Sequence, residues 1–313
     1  MSSAGCVIAL DVGGTTIKAG IADVTGLFVH RIRRDTRRIA GVAAVIEAIS
    51  AIAEELVSSA NDLGYEPLAA GVVVPGIVDE ERGVAVDASN IGWRDVPLRT
   101  LLQDRVGLPV YLGHDVRAGA LAEGRLGAAR GCRSFAFLPI GTGIGGAWVI
   151  DGQPYTGAHY AAAEVGHIIV RPGGDGCACG RSGCLETLAS ASAIARRYGA
   201  LSGTNVVGAV EVADFVRSGD PVASRVWEDA TDALADALLT VNTLLDPESI
   251  VLGGGLSHAG DLLLGPLRRR LADLSSPFSF PALVHASLGD EAGCTGAALN
   301  ALDLLCRPSP EVR

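Results

Sequence analysis

Cys6-Val-Ile-Ala-Leu-Asp11-Val-Gly-Gly-Thr-Thr-Ile-Lys18-Ala-Gly-Ile-Ala22 reads as strand, glycine turn, strand. Val7 to Leu10 is an apolar run that stops at Asp11, and Ile17 to Ala22 is a second strand. Leu27 to Ile32 makes a third. The glycines therefore sit in a hairpin, and the Gly-Lys-Ser/Thr ending of a strand–helix phosphate loop is missing. The pattern returns about 130 residues later: Ser134 to Ile140 is a strand, Gly141-Thr142-Gly143-Ile144-Gly145-Gly146 a turn, and Ala147 to Ile150 a strand. Recurrence at that distance points to a duplicated α/β unit.

The rest of the chain fits two such units. From Ile39 onward, Val42, Val45, Ile46, Ile49, Ile52, Ala53 and Leu56 repeat at helical spacing, with Glu47, Glu54 and Glu55 off the stripe. Ala70 to Val74 is a buried strand ending at Pro75-Gly76. Val110 to Leu112 is another, and a helix follows from Val116 to Leu126. In the second half a long helix runs from Val222 to Leu245, Ser249 to Leu252 leads into Gly253-Gly254-Gly255, and Leu283 to Ala286 precedes a last helix from Ala292. The expected division is a smaller domain, 1–115 plus the C-terminal helix 292–313, and a larger one, 116–291, with a cleft between them.

The chain has 313 residues, 25 Lys and Arg against 35 Asp and Glu, and a net charge of −10. That balance argues against nucleic acid or an anionic membrane as partner, because basic surface supplies such affinity. It leaves room for phosphates held by backbone N–H groups. The first basic residue is Lys18, and Gly, Pro or charge interrupts every apolar run. The expectation is a cytoplasmic protein without a membrane span.

Four motifs carry chemistry. In the first, Gly13 and Gly14 let the backbone approach an anion, Thr15 and Thr16 offer hydroxyls, Lys18 adds charge, and Asp11 stands where a hydrated Mg²⁺ would be oriented. An ordinary hairpin turn uses the same residue types. The second, Gly141 to Gly146, echoes it, and Gly253 to Gly255 would admit a nucleotide against bare backbone. The third is His114-Asp115 at a strand–helix junction, where Asp115 serves either as general base or as helix cap. The fourth joins Glu164-Val-Gly-His167 to Cys177-Ala-Cys179-Gly-Arg-Ser-Gly-Cys184-Leu-Glu186. One His and three Cys complete a tetrahedral Zn²⁺ set with no open position, so that zinc is structural. Glu164 and Glu186 bracket it and would be fixed relative to each other, which suits a polyol.

Together these motifs resemble the ROK family of sugar kinases, in the actin-like ATPase superfamily with its ribonuclease H-like fold. Asp11 to Lys18, Gly141 to Gly146 and Gly253 to Gly255 resemble the family's two phosphate motifs and its adenosine motif. Val74-Pro75-Gly76-Ile77-Val78-Asp79 and Asn90-Ile91-Gly92-Trp93 resemble its sugar-side segments. The resemblance implies a two-domain enzyme that moves the γ-phosphate of ATP, as its Mg²⁺ complex, to a sugar 6-hydroxyl. Asp115 would be the base, while Gly76, Asn90, Glu164, His167 and Glu186 hold the sugar. His167 would bind zinc through one ring nitrogen and face the sugar with the other. A homodimer is implied as well. The family also contains sugar-responsive repressors, but with ten residues before Asp11 and a charge of −10 a kinase is the expectation. Two positions depart from the pattern: His114 replaces an Asn, and Asp87 stands where an apolar residue is usual. Both belong near the sugar, so the hexose is expected to be a glucose-like sugar such as the amino-hexose kanosamine, whose ammonium favours extra acceptors, with plain glucose or N-acetylmannosamine as the alternative.

Overall fold

The computed structural model describes residues 4–274 and 280–306. The ends of the expected first domain, 1–3 and 307–313, lie outside the described residues. Two compact units divide the chain: Met1–Glu123 with Thr156–Ala162 and Asp290–Arg313, and Gly124–Tyr155 with Ala163–Gly289. The first unit thus runs beyond Asp115, and it also takes the short segment Thr156–Ala162, for which no sequence signal was read.

In the first unit, β1 (Ala4–Val12), β2 (Thr16–Asp23) and β3 (Phe28–Asp35) form an antiparallel meander. After α1 (Val42–Asp62), β4 (Tyr65–Val74) pairs parallel to β1. Cys6 to Leu10 are wholly buried, as expected of a strand covered on both faces. Val45, Ile49, Ile52 and Leu56 turn the α1 stripe into this core, and Arg105 reaches the off-stripe Glu47 and Glu54. A separate three-stranded sheet follows: β5 (Ile77–Asp79), β6 (Val84–Ala88) and β7 (Trp93–Val96). Strands of three to five residues are too short to show alternation, so the sequence did not reveal them. Then come α2 (Leu98–Val106), β8 (Val110–His114), parallel to β4, and α3 (Asp115–Leu126).

The second unit repeats the plan. β9 (Phe135–Pro139), β10 (Ala147–Ile150) and β11 (Gln153–Pro154) form the meander. The short α4 (Glu186–Ala189), α5 (Ala191–Ser202), α6 (Ala209–Arg217) and α7 (Pro221–Leu245) build a helical layer. Asp220 caps α7 by accepting from the Ala223 amide at 2.7 Å, and Val226, Leu234, Leu238 and Val241 are buried along its length. β12 (Ser249–Gly253) pairs parallel to β9, and after α8 (Asp261–Leu274), β13 (Ala282–His285) pairs parallel to β12. The sheet orders β3-β2-β1-β4-β8 and β11-β10-β9-β12-β13 are the same arrangement twice, so the duplication read from the two glycine hairpins extends to whole units.

The final helix, α9 (Ala292–Cys306), belongs to the first unit and packs on β1 and β4. A Cβ on Gly71 would stand 2.0 Å from the Ala297 carbonyl, and one on Gly296 would stand 2.0 Å from that of Ala118. Such approaches need glycine, and the second packs the start of α3 on α9 within this unit. No helix among the described residues is long and apolar enough to cross a membrane.

Candidate active site

In the first unit the hairpin between β1 and β2 is pinned from both sides. The Gly13 amide donates to the Thr16 carbonyl at 2.9 Å. The buried Thr36 donates its hydroxyl to the Gly13 carbonyl at 2.7 Å and its amide to that of Thr15 at 3.0 Å. Gly14 faces Asn90, whose Nδ2 would lie 3.4 Å from an added Cβ. Gly76 has φ +88°, and a Cβ there would sit 2.1 Å from the Asp87 carbonyl. Turn geometry and backbone contact together thus admit only glycine.

Asp11 lies one residue before the end of β1, with Lys18 opposite it across the hairpin at 3.9 Å. The Lys18 ammonium is bonded to Asp290, at 2.7 Å to the carbonyl and 2.5 Å to the carboxylate. Asp290 and Glu291 also take Arg33, and Glu291 takes Arg31. Burial pushes the Asp11 carboxyl up to about 7, helped by the charge of Asp115 and by Asp290 and Glu291, while Lys18 pulls it down. Asp11 and Asp115 thus share one negative field. Asp290 and Glu291 were missed in the sequence because nothing local ties them to a hairpin more than 250 residues away.

Asp115 is the first residue of α3, and its Oδ1 accepts the Val116 amide at 2.7 Å. His114 stands in the cap position: its Nδ1 receives the Arg117 amide at 3.4 Å, while Nε2 lies 3.5 Å from the Asp115 carboxylate. An Nδ1 that accepts carries no proton, so in the neutral ring Nε2 holds it. The cap role open to Asp115 is therefore taken by His114. Arg117, buried, ties the same helix to Glu80 at 2.9 Å and to the Tyr160 carbonyl at 3.2 Å, which anchors the segment Thr156–Ala162. Asp87 lies on β6, about half exposed, 3.6 Å from Arg94 on β7.

In the second unit the hairpin Gly141 to Gly146 is the hub. The Gly141 amide donates to the Gly143 carbonyl at 2.9 Å, and the Ile144 amide donates to Glu186 Oε2 at 3.0 Å. A Cβ on Gly143 would meet that same oxygen at 2.4 Å. Ser192 donates to the Thr142 carbonyl. The turn Val165–His167, next to Glu164, packs on the hairpin: a Cβ on Gly166 would stand 2.4 Å from the Ile144 carbonyl. From the other side, Gly254 at φ +75° lies against Ile140, and the Ile140 amide donates to Gly253 at 2.9 Å. Glu164, His167, Glu186 and both glycine motifs of this unit are thus joined through one turn.

A cavity of about 330 Å³ opens beside it, walled by Ala191, Ala209, Ala213, Trp227 and Leu256. Ala191 donates its amide to the Gly141 carbonyl at 2.8 Å, and Gly255, on the cavity wall, has open space where a side chain would stand. Small residues on α5 and α6 leave this space, and nothing in their own sequence marks it.

His167, Cys177, Cys179 and Cys184 put one ligand atom each within 4.8 Å of one another. Cys177 Sγ is 3.5 Å from His167 Nδ1, and Cys179 Sγ is 3.6 Å from Cys184 Sγ. A tetrahedral Zn²⁺ with roughly 2.3 Å bonds to sulfur and 2.0–2.1 Å to nitrogen has edges of roughly 3.5–3.8 Å, so the donor set fits and these two pairs stand at that spacing. Burial and the facing thiols push Cys184 up to about 12, while the Arg181 backbone holds Cys179 below the usual thiol range. Gly183, at φ +78°, lets the loop close on Arg171, whose carbonyl would be 1.7 Å from a Cβ.

Comparison with known proteins agrees with this architecture. The glucokinase of Thermotoga maritima is 36% identical over 309 residues, covering 93% of this chain and 96% of that one. The kanosamine kinase of Amycolatopsis mediterranei is 37% identical over 231 residues, 73% of this chain and 75% of that one. A ROK family glucokinase from Streptomyces griseus, solved in complex with glucose and AMPPNP, is 32% identical with a TM-score of 0.80, over 96% of this chain and 100% of that one. The family model described as "ROK family" matches residues 7–303, and the chain belongs to that family.

Proposed function

We propose that the protein transfers the γ-phosphoryl group of ATP to the 6-hydroxyl of a glucose-like hexose. The chain is a sugar kinase, as its glucokinase relatives indicate. The observation that carries the nucleotide reading is the bond from Ala191, on the wall of the cavity of about 330 Å³, to Gly141 of the glycine hairpin. In this reading the phosphates lie along Gly141, Thr142, Gly143, Gly145 and Gly146 and along Asp11, Gly13, Gly14, Thr15, Thr16 and Lys18. The adenosine lies by Gly253, Gly254 and Gly255. ATP enters as its Mg²⁺ complex, with Asp11 nearest to orient the ion.

Phosphoryl transfer requires alignment, charge neutralisation and a base. Asp115 takes the proton of the 6-hydroxyl. Its carboxylate accepts the Val116 amide, which fixes its direction, and His114 Nε2 lies 3.5 Å away. Gly76, Asn90, Glu164, His167 and Glu186 bind the other hydroxyls. One Zn²⁺ on His167, Cys177, Cys179 and Cys184 would fix the loop that carries Glu186. Binding through Nδ1 leaves the opposite ring nitrogen of His167 for the sugar. A homodimer and a cytoplasmic location go with the family reading.

For the sugar, plain glucose has the better support. Asp87 already faces Arg94, and His114 is occupied as a cap. A second reading, the amino-hexose kanosamine, is favoured by the half exposure of Asp87 beside Gly76 and by the similarity to a kanosamine kinase. ADP release from ATP measured across glucose, kanosamine, glucosamine and N-acetylmannosamine tests the function. No release with any of them would overturn it.

A further inference from the structure

Building on that nucleotide reading, we infer that the cavity accepts a purine base without reading its polar edge, so that ITP and GTP serve as phosphoryl donors nearly as well as ATP. Adenine donates from its 6-amino group and accepts at N1. Hypoxanthine and guanine do the reverse, accepting at O6 and donating from N1. A site that hydrogen-bonds one edge leaves its own buried groups unpaired against the other, and that rejects the wrong base by factors of roughly 10⁴–10⁵. An apolar wall has no such lever.

The walls here are apolar. Ala191, Ala209, Ala213 and Leu256 offer only methyl groups and methylenes. Trp227 donates its ring N–H to the Leu262 carbonyl at 3.1 Å and so presents carbon to the cavity. Among the described residues that line it, no carboxylate, amide or hydroxyl side chain is present, and the charged or ionisable ones are Arg217 and His258. Arg217 is paired with Asp214 at 2.7 Å, and His258 is exposed on the turn Gly255–Ala259. Recognition of the donor therefore rests on the phosphates at the glycine hairpin and on the apolar area of the ring. The step is the same for each donor. The bond from γ-phosphorus to the β–γ bridging oxygen breaks, the sugar oxygen takes the phosphoryl group, Asp115 takes the hydroxyl proton, and the nucleoside diphosphate leaves.

Initial rates at saturating sugar with ATP, ITP, GTP, UTP and inorganic tripolyphosphate decide the matter. The expected kcat/KM values for ATP, ITP and GTP agree within about tenfold. UTP is expected to fall by a further factor of roughly ten to a hundred, because a smaller ring buries less apolar surface. Tripolyphosphate should fall lower still. Ala213→Phe, which fills the cavity, should raise the KM of all three purine donors together and leave that of the sugar unchanged. An ATP preference over ITP above a thousandfold overturns the inference alone. Equal rates for tripolyphosphate and ATP also overturn it, since the cavity would then hold no base. Absence of turnover with every donor overturns the kinase reading itself.

Discussion

Glu186 Oε2 accepts the amide hydrogen of Ile144 at 3.0 Å, inside the glycine turn that follows β9. The same carboxylate leaves no room for a side chain at Gly143, and it lies two residues after Cys184 of the His–Cys cluster. A residue expected to hold sugar thus also fastens the turn proposed to hold phosphate. Glu186→Ala should raise the KM for ATP as well as that for sugar. Glu186→Gln keeps an acceptor oxygen and should leave the ATP value near wild type. Thr142→Val, on the same turn, should raise the KM for ATP more than that for sugar. Steady-state kinetics in both substrates would reveal any Glu186→Ala enzyme with an unchanged ATP KM, and such a result would divorce the carboxylate from the nucleotide.

Asp115→Asn should fold normally, because an amide oxygen can still accept from Val116. It should lose kcat by a factor of roughly 10²–10⁴, the usual contribution of a positioned base, with sugar binding retained. Rapid-quench kinetics together with calorimetric sugar binding separates the two effects. Near wild-type turnover would remove Asp115 from the chemistry.

Both glycine hairpins and the His–Cys cluster were legible because each is a local pattern. β1, α7 and α9 could be read for the same reason: their apolar runs are long. The pieces that were not legible depend on pairing at a distance. Lys18 with Asp290, Arg117 with Glu80 and Tyr160, and the cavity left by alanines on two helices have no local signature. Local reasoning also left open whether Asp115 caps its helix. The backbone answers it, since the Arg117 amide turns to His114.

Protein purified without chelator should contain one zinc per chain. Cys179→Ser should lower zinc retention and, through the loop to Glu186, weaken sugar binding. Elemental analysis gives the first readout, and protease sensitivity of the loop between Pro172 and Gly183 gives a second that does not depend on activity. A zinc-free protein with an ordered loop would leave the cluster without a metal role.

Burial pushes the Asp11 carboxyl up to about 7 in the folded chain, from an ordinary value of 3.8. Between those values the folded state holds a proton that the unfolded chain has released. Unfolding free energy therefore falls as pH rises from about 4 to about 7 and levels off above that. In metal-free buffer, wild-type Tm should drop between pH 5 and pH 8 more than that of Asp11→Asn, and the variant should be the more stable at pH 8 by several degrees. Parallel Tm curves for the two proteins would place the burden on other groups.

His114 separates the structural account of this site from the sugar account. As a cap, its Nδ1 satisfies the Arg117 amide, one of the donors that every helix start leaves unpaired. His114→Ala should then cost about 1 kcal/mol of stability, and His114→Asn should restore most of it, because Asn is among the best capping residues. The same Asn variant tests the substrate. If His114 is only a cap, the kcat/KM ratio of kanosamine to glucose stays the same in His114→Asn, and glucose remains the better substrate in both. If the imidazole and Asp87 together select an amino group, kanosamine leads in wild type. The Asn variant then shifts towards glucose, and Asp87→Ala does so further. Glucosamine and N-acetylmannosamine complete the panel, since they carry nitrogen at C2 and not at C3. A preference for any amino sugar that survives both substitutions would mean that neither His114 nor Asp87 reads the ligand.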